Sequence, residues 1–165
     1  MLQDIPVTRL AAPILEDYAY VARRMREDER AQFCAFAGLE KYQPDVAARA
    51  YAATPGPQFV FIDPQGYPAV IAGFEPVRPG VFGAWQSSTA DAWGTHWRTI
   101  TKITRRTIDR MLANGAHRIQ IAALATRIEA HEWYERGLGM RREGVLRAYG
   151  ADGSDAVMFA KTREG

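Results

Sequence analysis

Three apolar runs in the middle of the chain, each closed by turn residues, constrain the fold more than any other feature. They are "QFVFID" (58–63), "PAVIAGFEPV" (68–77) and "VFGAWQSS" (81–88), and the segments between them are "PQGY" and "RPG". Short β-rich runs joined by turns of this length pair as antiparallel neighbours. The pattern therefore predicts a three-strand meander.

A long amphipathic helix is predicted directly after the meander, over 90–113, because apolar residues recur there at helical spacing. Those residues are Trp93, Trp97, Ile100, Ile103, Ile108, Met111 and Leu112. Basic residues occupy much of the remaining surface, and Gly115 provides a left-handed stop. Trp93 and Trp97 lie four residues apart on one face, so we expect both to pack into the core.

Local signals place the other elements around this centre. Helices are expected over 14–25, 31–36, 43–53 and 126–137, and strands over 5–12, 118–124, 143–150 and 155–162. Thr126 followed by Glu129 is the pattern of a capping box, and we expect His131 on the solvated face of that helix. Together these elements predict a single α/β domain over 1–165, with a mixed, mostly antiparallel sheet of about six to seven strands flanked by about four helices.

Composition excludes several classes of function. With 165 residues and a net charge of +2, the chain suits one domain and gives no support to nucleic-acid binding. One cysteine rules out an internal disulfide. The three histidines are too scattered for a metal site, and no G-x-S-x-G or Walker A motif appears. Without a signal-peptide pattern or a spanning apolar run, we expect no membrane contact and a cytoplasmic location in a bacterial cell.

The element order, together with "WYERGLGMRREG" before the final hairpin, resembles the GNAT superfamily of acyl-CoA-dependent N-acyltransferases. "GAWQSSTADAWGTHWRTITKITRRTIDRML" and "RAYGADGSDAVMFA" look most like small GNAT-like proteins of tailed phages and prophages, including internal-virion proteins. The first resemblance implies a GNAT-like fold, acetyl-CoA as cosubstrate and an amine as acceptor. The second implies phage structural proteins as partners and a place in the virion.

The resemblance also implies site residues. Tyr134 matches the family tyrosine that protonates the departing thiolate, although a buried tyrosine packed as an aromatic wedge is an equal alternative. Glu75 is the first candidate for the general base and Asp63 the second. Acetyl-CoA would lie between the fourth and fifth strands. Its implied contacts are Trp85, Gln86, Ser87, Gly94, Thr95, His96 and Arg98, with 121–123 on the opposite strand.

The segment "TADAWGTHWR" (89–98) matches this family's phosphate loop poorly. It has one glycine, Gly94, and His96 stands where a second small residue is usual. Asp91 would place a negative charge near phosphate. Two functions therefore stay open: an acetyl-CoA-dependent N-acetyltransferase or a degenerate relative, and a non-catalytic virion or assembly component that uses the fold as a structural module.

Overall fold

A mixed seven-stranded sheet forms the centre of the molecule. The computed structural model describes residues 9–163, and the side chains from residue 11 onward. The strands are β1 (Arg9–Ala11), β2 (Gln58–Ile62), β3 (Pro68–Arg78), β4 (Val81–Ser88), β5 (Arg118–Leu124), β6 (Arg141–Leu146) and β7 (Ala156–Thr162). The helices are α1 (Leu15–Arg24), α2 (Glu27–Ala37), α3 (Pro44–Ala52), α4 (Ala90–Ala113) and α5 (Ile128–Glu132), and α5 runs into a π-helical turn (Trp133–Gly137).

The sheet order is β1-β2-β3-β4-β5-β7-β6. Every neighbouring pair is antiparallel except β4 and β5, which are parallel. Their parallel register covers Val81–Gly83 against Arg118–Gln120. Beyond these residues β4 continues against β3 and β5 continues against β7. The two strands therefore separate into a gap between 84–88 and 121–124, called the splay below.

Helices cover both faces of the sheet. On one face, Ile108 of α4 belongs to a core with Phe74, Ile119 and Phe159, and Ile119 and Phe159 are fully buried. On the other face, α1 and α3 pack against β2 and β3. This is the expected α/β architecture, and the meander and α4 begin and end within a residue of their predicted bounds. In the described residues no helix is long and apolar enough to cross a membrane.

Several local expectations were wrong. Arg127, not Thr126, precedes the first turn of α5, and no side chain caps that helix. Helix α2 begins at Glu27 instead of 31, because three acidic residues suit the positive end of the helix dipole. Trp97 is 48 % exposed, so it is not a core residue. Of the predicted first strand, 5–8 lies outside the described residues.

The expectation that His131 lies on the solvated face of its helix was also wrong. It is 4 % exposed, and its Nε2 donates to the backbone oxygen of Leu124 at 2.9 Å. Burial lowers the pKa of this imidazole, although the bond to Leu124 acts in the opposite direction. The neutral ring therefore packs against Phe159 and joins α5 to the end of β5.

Candidate functional site

The splay leaves part of the β4 backbone without a strand partner. The N–H of Thr89 donates to the backbone oxygen of Ala69 on the β3 side. Every second residue of β4, counted back from Thr89, therefore directs its backbone N–H and C=O towards β3. In an antiparallel ladder the alternate residues point the other way. Gln86 therefore directs its N–H and C=O towards β5, beyond the point where the β4/β5 register ends. This edge offers a donor and an acceptor to an extended ligand.

Two cavities meet at the splay. The first cavity, of about 600 Å³, lies between the start of α4, the start of α2 and α5. The second cavity, of about 490 Å³, lies on the face covered by α2 and α3. Tyr134 and Gln86 line both cavities. A group that reacts at Tyr134 can therefore be approached from two sides.

Tyr134 lies in the π-helical turn after α5, a helix irregularity that is frequent at functional sites. It is 5 % exposed, and its ring packs edge-on against Phe159 at 5.3 Å. Burial raises the pKa of its phenol to about 12, while the positive charge of Arg127 opposes this effect. The hydroxyl is thus protonated at neutral pH, which suits a proton donor.

Helix α2 ties together the ends of the two diverging strands. Glu29 accepts from Ser88 N–H at 2.8 Å and from Ser88 Oγ at 3.0 Å, at the end of β4. Gln32 Oε1 accepts from Leu124 N–H at 3.0 Å, at the end of β5. Arg127 also donates to Gln32 at 3.0 Å. These bonds fix the width of the splay from one side.

Glu29 is a functional candidate that the sequence did not reveal. Its carboxyl is 6 % exposed and lines the first cavity with Tyr134. Burial raises its pKa to about 7, although the Ser88 bonds and the charges of Arg127 and Arg26 act to lower it. A carboxyl with a pKa near neutrality can gain and lose a proton under ordinary conditions. In the sequence it stands inside the polar run "REDER", which gives no sign of burial.

The charges around the first cavity are largely paired. Arg127 contacts Asp28 at 2.9 Å, and Arg26 lies 3.6 Å from Asp28 and 3.8 Å from Glu129. The first cavity itself is therefore not a cationic site. Trp97, however, lines both this cavity and an adjoining groove of about 460 Å³ along α4. That groove is lined by the cations Arg98, Lys102, Arg105 and Arg106.

These features fit an acyl-CoA in three parts. The unpaired backbone N–H and C=O of Gln86 suit the uncharged part of acyl-CoA that carries amide groups. The start of α4, where a Cβ on Gly94 would meet nothing within 4 Å, suits a group that approaches the backbone closely. The cationic groove along α4 suits phosphate. Asp91 is exposed in the first turn of α4 and weakens the attraction there.

The structure brings together some of the predicted site residues. Tyr134, Gln86 and Gly94 line the first cavity, and Glu75 and Trp85 line the second with Tyr134 and Gln86. The predicted ligands Ser87, Thr95, His96 and Arg98 do not line either one; Arg98 lines the α4 groove.

Two of the other candidates have clear surroundings. Ser87 is buried, and its Oγ donates to the Tyr51 hydroxyl at 2.8 Å. Asp63 accepts from the N–H groups of Gln65 and Tyr67 at 2.9 Å, as a turn residue does. Within 9–163, no group of three or more His, Cys, Asp or Glu side chains is placed to hold a metal ion.

Similar solved structures are acetyltransferases. An acetyltransferase of the GNAT family from Bacillus anthracis matches with TM-score 0.74 and 14 % identity, over 96 % of each chain. AAC(6')-Ib in complex with ribostamycin and coenzyme A matches with TM-score 0.72 and 18 % identity, over 96 % of this chain and 94 % of that one. A spermidine N-acetyltransferase from Vibrio cholerae matches with TM-score 0.70 and 14 % identity, over 95 % and 94 %. No protein-family model and no curated protein matches the sequence. The chain has the GNAT acetyltransferase fold.

Proposed function

We propose that this GNAT-fold protein transfers an acyl group from acetyl-CoA to an amine. The observation that supports this most is the meeting of two cavities at Tyr134 and Gln86, inside the splay between β4 and β5. Such an arrangement admits two substrates from opposite sides to one reacting point. In the transfer, a C–N bond forms and the thioester C–S bond breaks, while the amine loses a proton and the sulfur gains one.

Tyr134 is the proposed general acid. Its phenol keeps its proton at neutral pH because burial raises its pKa to about 12. Because it lines both cavities, it could donate a proton to a leaving sulfur on one side while the amine enters from the other.

Glu29 is the proposed general base, in preference to Glu75. Its pKa of about 7 allows it to accept a proton near neutral pH. It lines the first cavity, and its charge acts on the phenol of Tyr134, so it lies close to the residue that both cavities share. Each carboxylate oxygen accepts one bond from Ser88, which leaves further lone pairs for a proton. Glu75 is exposed on β3 and lies three residues along the strand from Ala72, which pairs with Gln86.

The decisive measurement is a titration of the protein with acetyl-CoA, followed by calorimetry and thermal unfolding. A ligand at about 100 times its Kd should stabilise the fold by about 2.7 kcal/mol. Tyr134→Phe should then lower kcat by about 100-fold with little change in the Kd for acetyl-CoA. Tyr67→Phe, the same change at an exposed tyrosine, is the control and should keep full activity. Equal kcat in Tyr134→Phe would remove this residue from the mechanism.

A non-catalytic role in a phage virion or assembly is the second candidate. The observation that favours it is the charge of the first cavity beside the start of α4, where four carboxylates and only two cations are among the described residues that line it. Negative charge there opposes a phosphate-bearing ligand. Absence of any acetyl-CoA binding at millimolar concentration would favour this role, and co-purification with phage particles would support it. Phage or prophage origin stays a prediction from the sequence.

A further inference from the structure

The second cavity has a lining that restricts which acceptor it can take. Its volume of about 490 Å³ lies in the range of small-molecule sites. Besides Tyr134, five aromatic side chains form much of its wall: Phe33, Phe36, Tyr51, Trp85 and Tyr149. Such a wall favours a compact organic molecule over a strongly hydrated one.

Four of these rings are held in two pairs. Tyr51 stacks on Trp85 with centroids 5.1 Å apart and an angle of 16°, and its hydroxyl is held by Ser87. Phe36 meets Tyr149 edge-on at 5.4 Å and 82°. Ring faces fixed in this way attract apolar chains and also cations.

Glu75 is the one charged side chain among the described residues that line the second cavity. In the sheet register Glu75 pairs with Gly83, and Ala72 pairs with Gln86. Glu75 is thus three residues from the strand position beside the reacting point, or about 10 Å along β3. A carboxylate at this distance cannot take the proton of the attacking nitrogen, but it can attract a charge at the far end of the same molecule.

We infer that the second cavity binds an elongated primary amine whose far end carries a second positive charge. Glu75 attracts that far cation, the aromatic walls contact the apolar spacer, and the other nitrogen lies near Tyr134. This inference rests on the proposed acyl transfer and names its acceptor class. It makes Glu75 a residue that determines specificity rather than the base.

Three amines of six carbons each test the inference: hexylamine, hexamethylenediamine and ε-aminocaproate. They carry a methyl group, an ammonium and a carboxylate at the far end. The wild type should prefer the diamine in kcat/KM and in calorimetric Kd, and should bind the aminocaproate most weakly. An exposed ion pair changes affinity by up to about fivefold, so Glu75→Gln should reduce the diamine preference over hexylamine by about three- to fivefold.

Two further variants sharpen the test. Glu75→Lys should reverse the order, so that the aminocaproate binds better than the diamine. Glu40→Gln changes an exposed carboxyl that lies outside the lining of the cavity, and it should keep the wild-type order.

The outcomes separate this inference from the proposed function. If acetyl-CoA binds and is used, but the three amines behave alike or Glu75→Gln keeps the full preference for the diamine, the acceptor inference is overturned and the acyl transfer stands. If acetyl-CoA does not bind, the proposed function fails. In that case calorimetry with the amines alone still tests whether the second cavity prefers a second positive charge. A preference for the diamine that requires Glu75 supports this charge preference, and equal affinities for the three amines overturn it.

Discussion

Replacement of Glu29 by glutamine should change how the stability of the protein depends on pH. The folded state raises the pKa of this carboxyl from 4.5 to about 7. Between these values the folded protein keeps a proton that the unfolded chain has released. Stability linked to Glu29 is therefore fully present below about pH 4.5 and declines as the pH rises through about 7.

The size of the effect follows from the same shift. At about 1.4 kcal/mol for each pKa unit, the change from 4.5 to about 7 corresponds to about 3 kcal/mol. Glutamine has the shape of glutamate and can keep both contacts to Ser88, since its oxygen accepts from the N–H and its amide donates to Oγ. The variant removes the ionisation and leaves the packing in place.

The measurement is denaturant unfolding of both proteins at several pH values from about 4 to about 8. The stability of the wild type minus that of Glu29→Gln should fall by about 3 kcal/mol over this range. By thermal unfolding, the corresponding change in Tm difference is about 6 to 12 °C for a chain of this length. Other groups such as His131 titrate in both proteins and cancel in the difference.

Glu27→Gln is the matched control, because Glu27 is an exposed carboxyl in the same first turn of α2. Its stability should run parallel to that of the wild type at all pH values. A stability difference between wild type and Glu29→Gln that stays constant from about pH 4 to about pH 8 would refute the argument that burial governs the ionisation of Glu29.

Three further outcomes are expected. Gly73→Ala should lower the free energy of unfolding by about 1 to 3 kcal/mol in a denaturant titration, because the new Cβ would lie 2.6 Å from the Trp85 indole. Gly94→Ala should raise the free energy of unfolding by about 0.5 to 1 kcal/mol. Similar changes in both variants would contradict the packing argument. Phe159→Ala, at a fully buried side chain, should cost about 3 to 5 kcal/mol in the same assay, and a loss below about 1 kcal/mol would be inconsistent with its place in the core. If Glu29 is the base, kcat/KM should fall as the pH drops below about 7, and Glu29→Gln should remove that dependence; an unchanged profile would exclude Glu29 from the proton transfer.

The sequence was sufficient for elements whose signals are local. The predicted bounds of β4, α4 and β5 agree with the structure to the residue, because turn residues at their ends and a clear period within each element are properties of neighbouring residues. The resemblance to GNAT proteins, rather than any local pattern, grouped Tyr134, Gln86 and Gly94 in one site, and all three line the first cavity. The role of Tyr134 also came from this resemblance and stays a prediction.

Only the tertiary structure determined the burial of residues whose neighbours come from distant parts of the chain. Glu29 is bonded to Ser88, which is 59 residues away, and nothing within "REDER" shows that this one carboxyl is buried. His131 is buried because the end of β5 offers it a carbonyl, whereas the polar sequence around it favours solvent. Burial of a charged group depends on which strand end it reaches, so local patterns predict the helix and long-range packing determines the chemistry of its side chains.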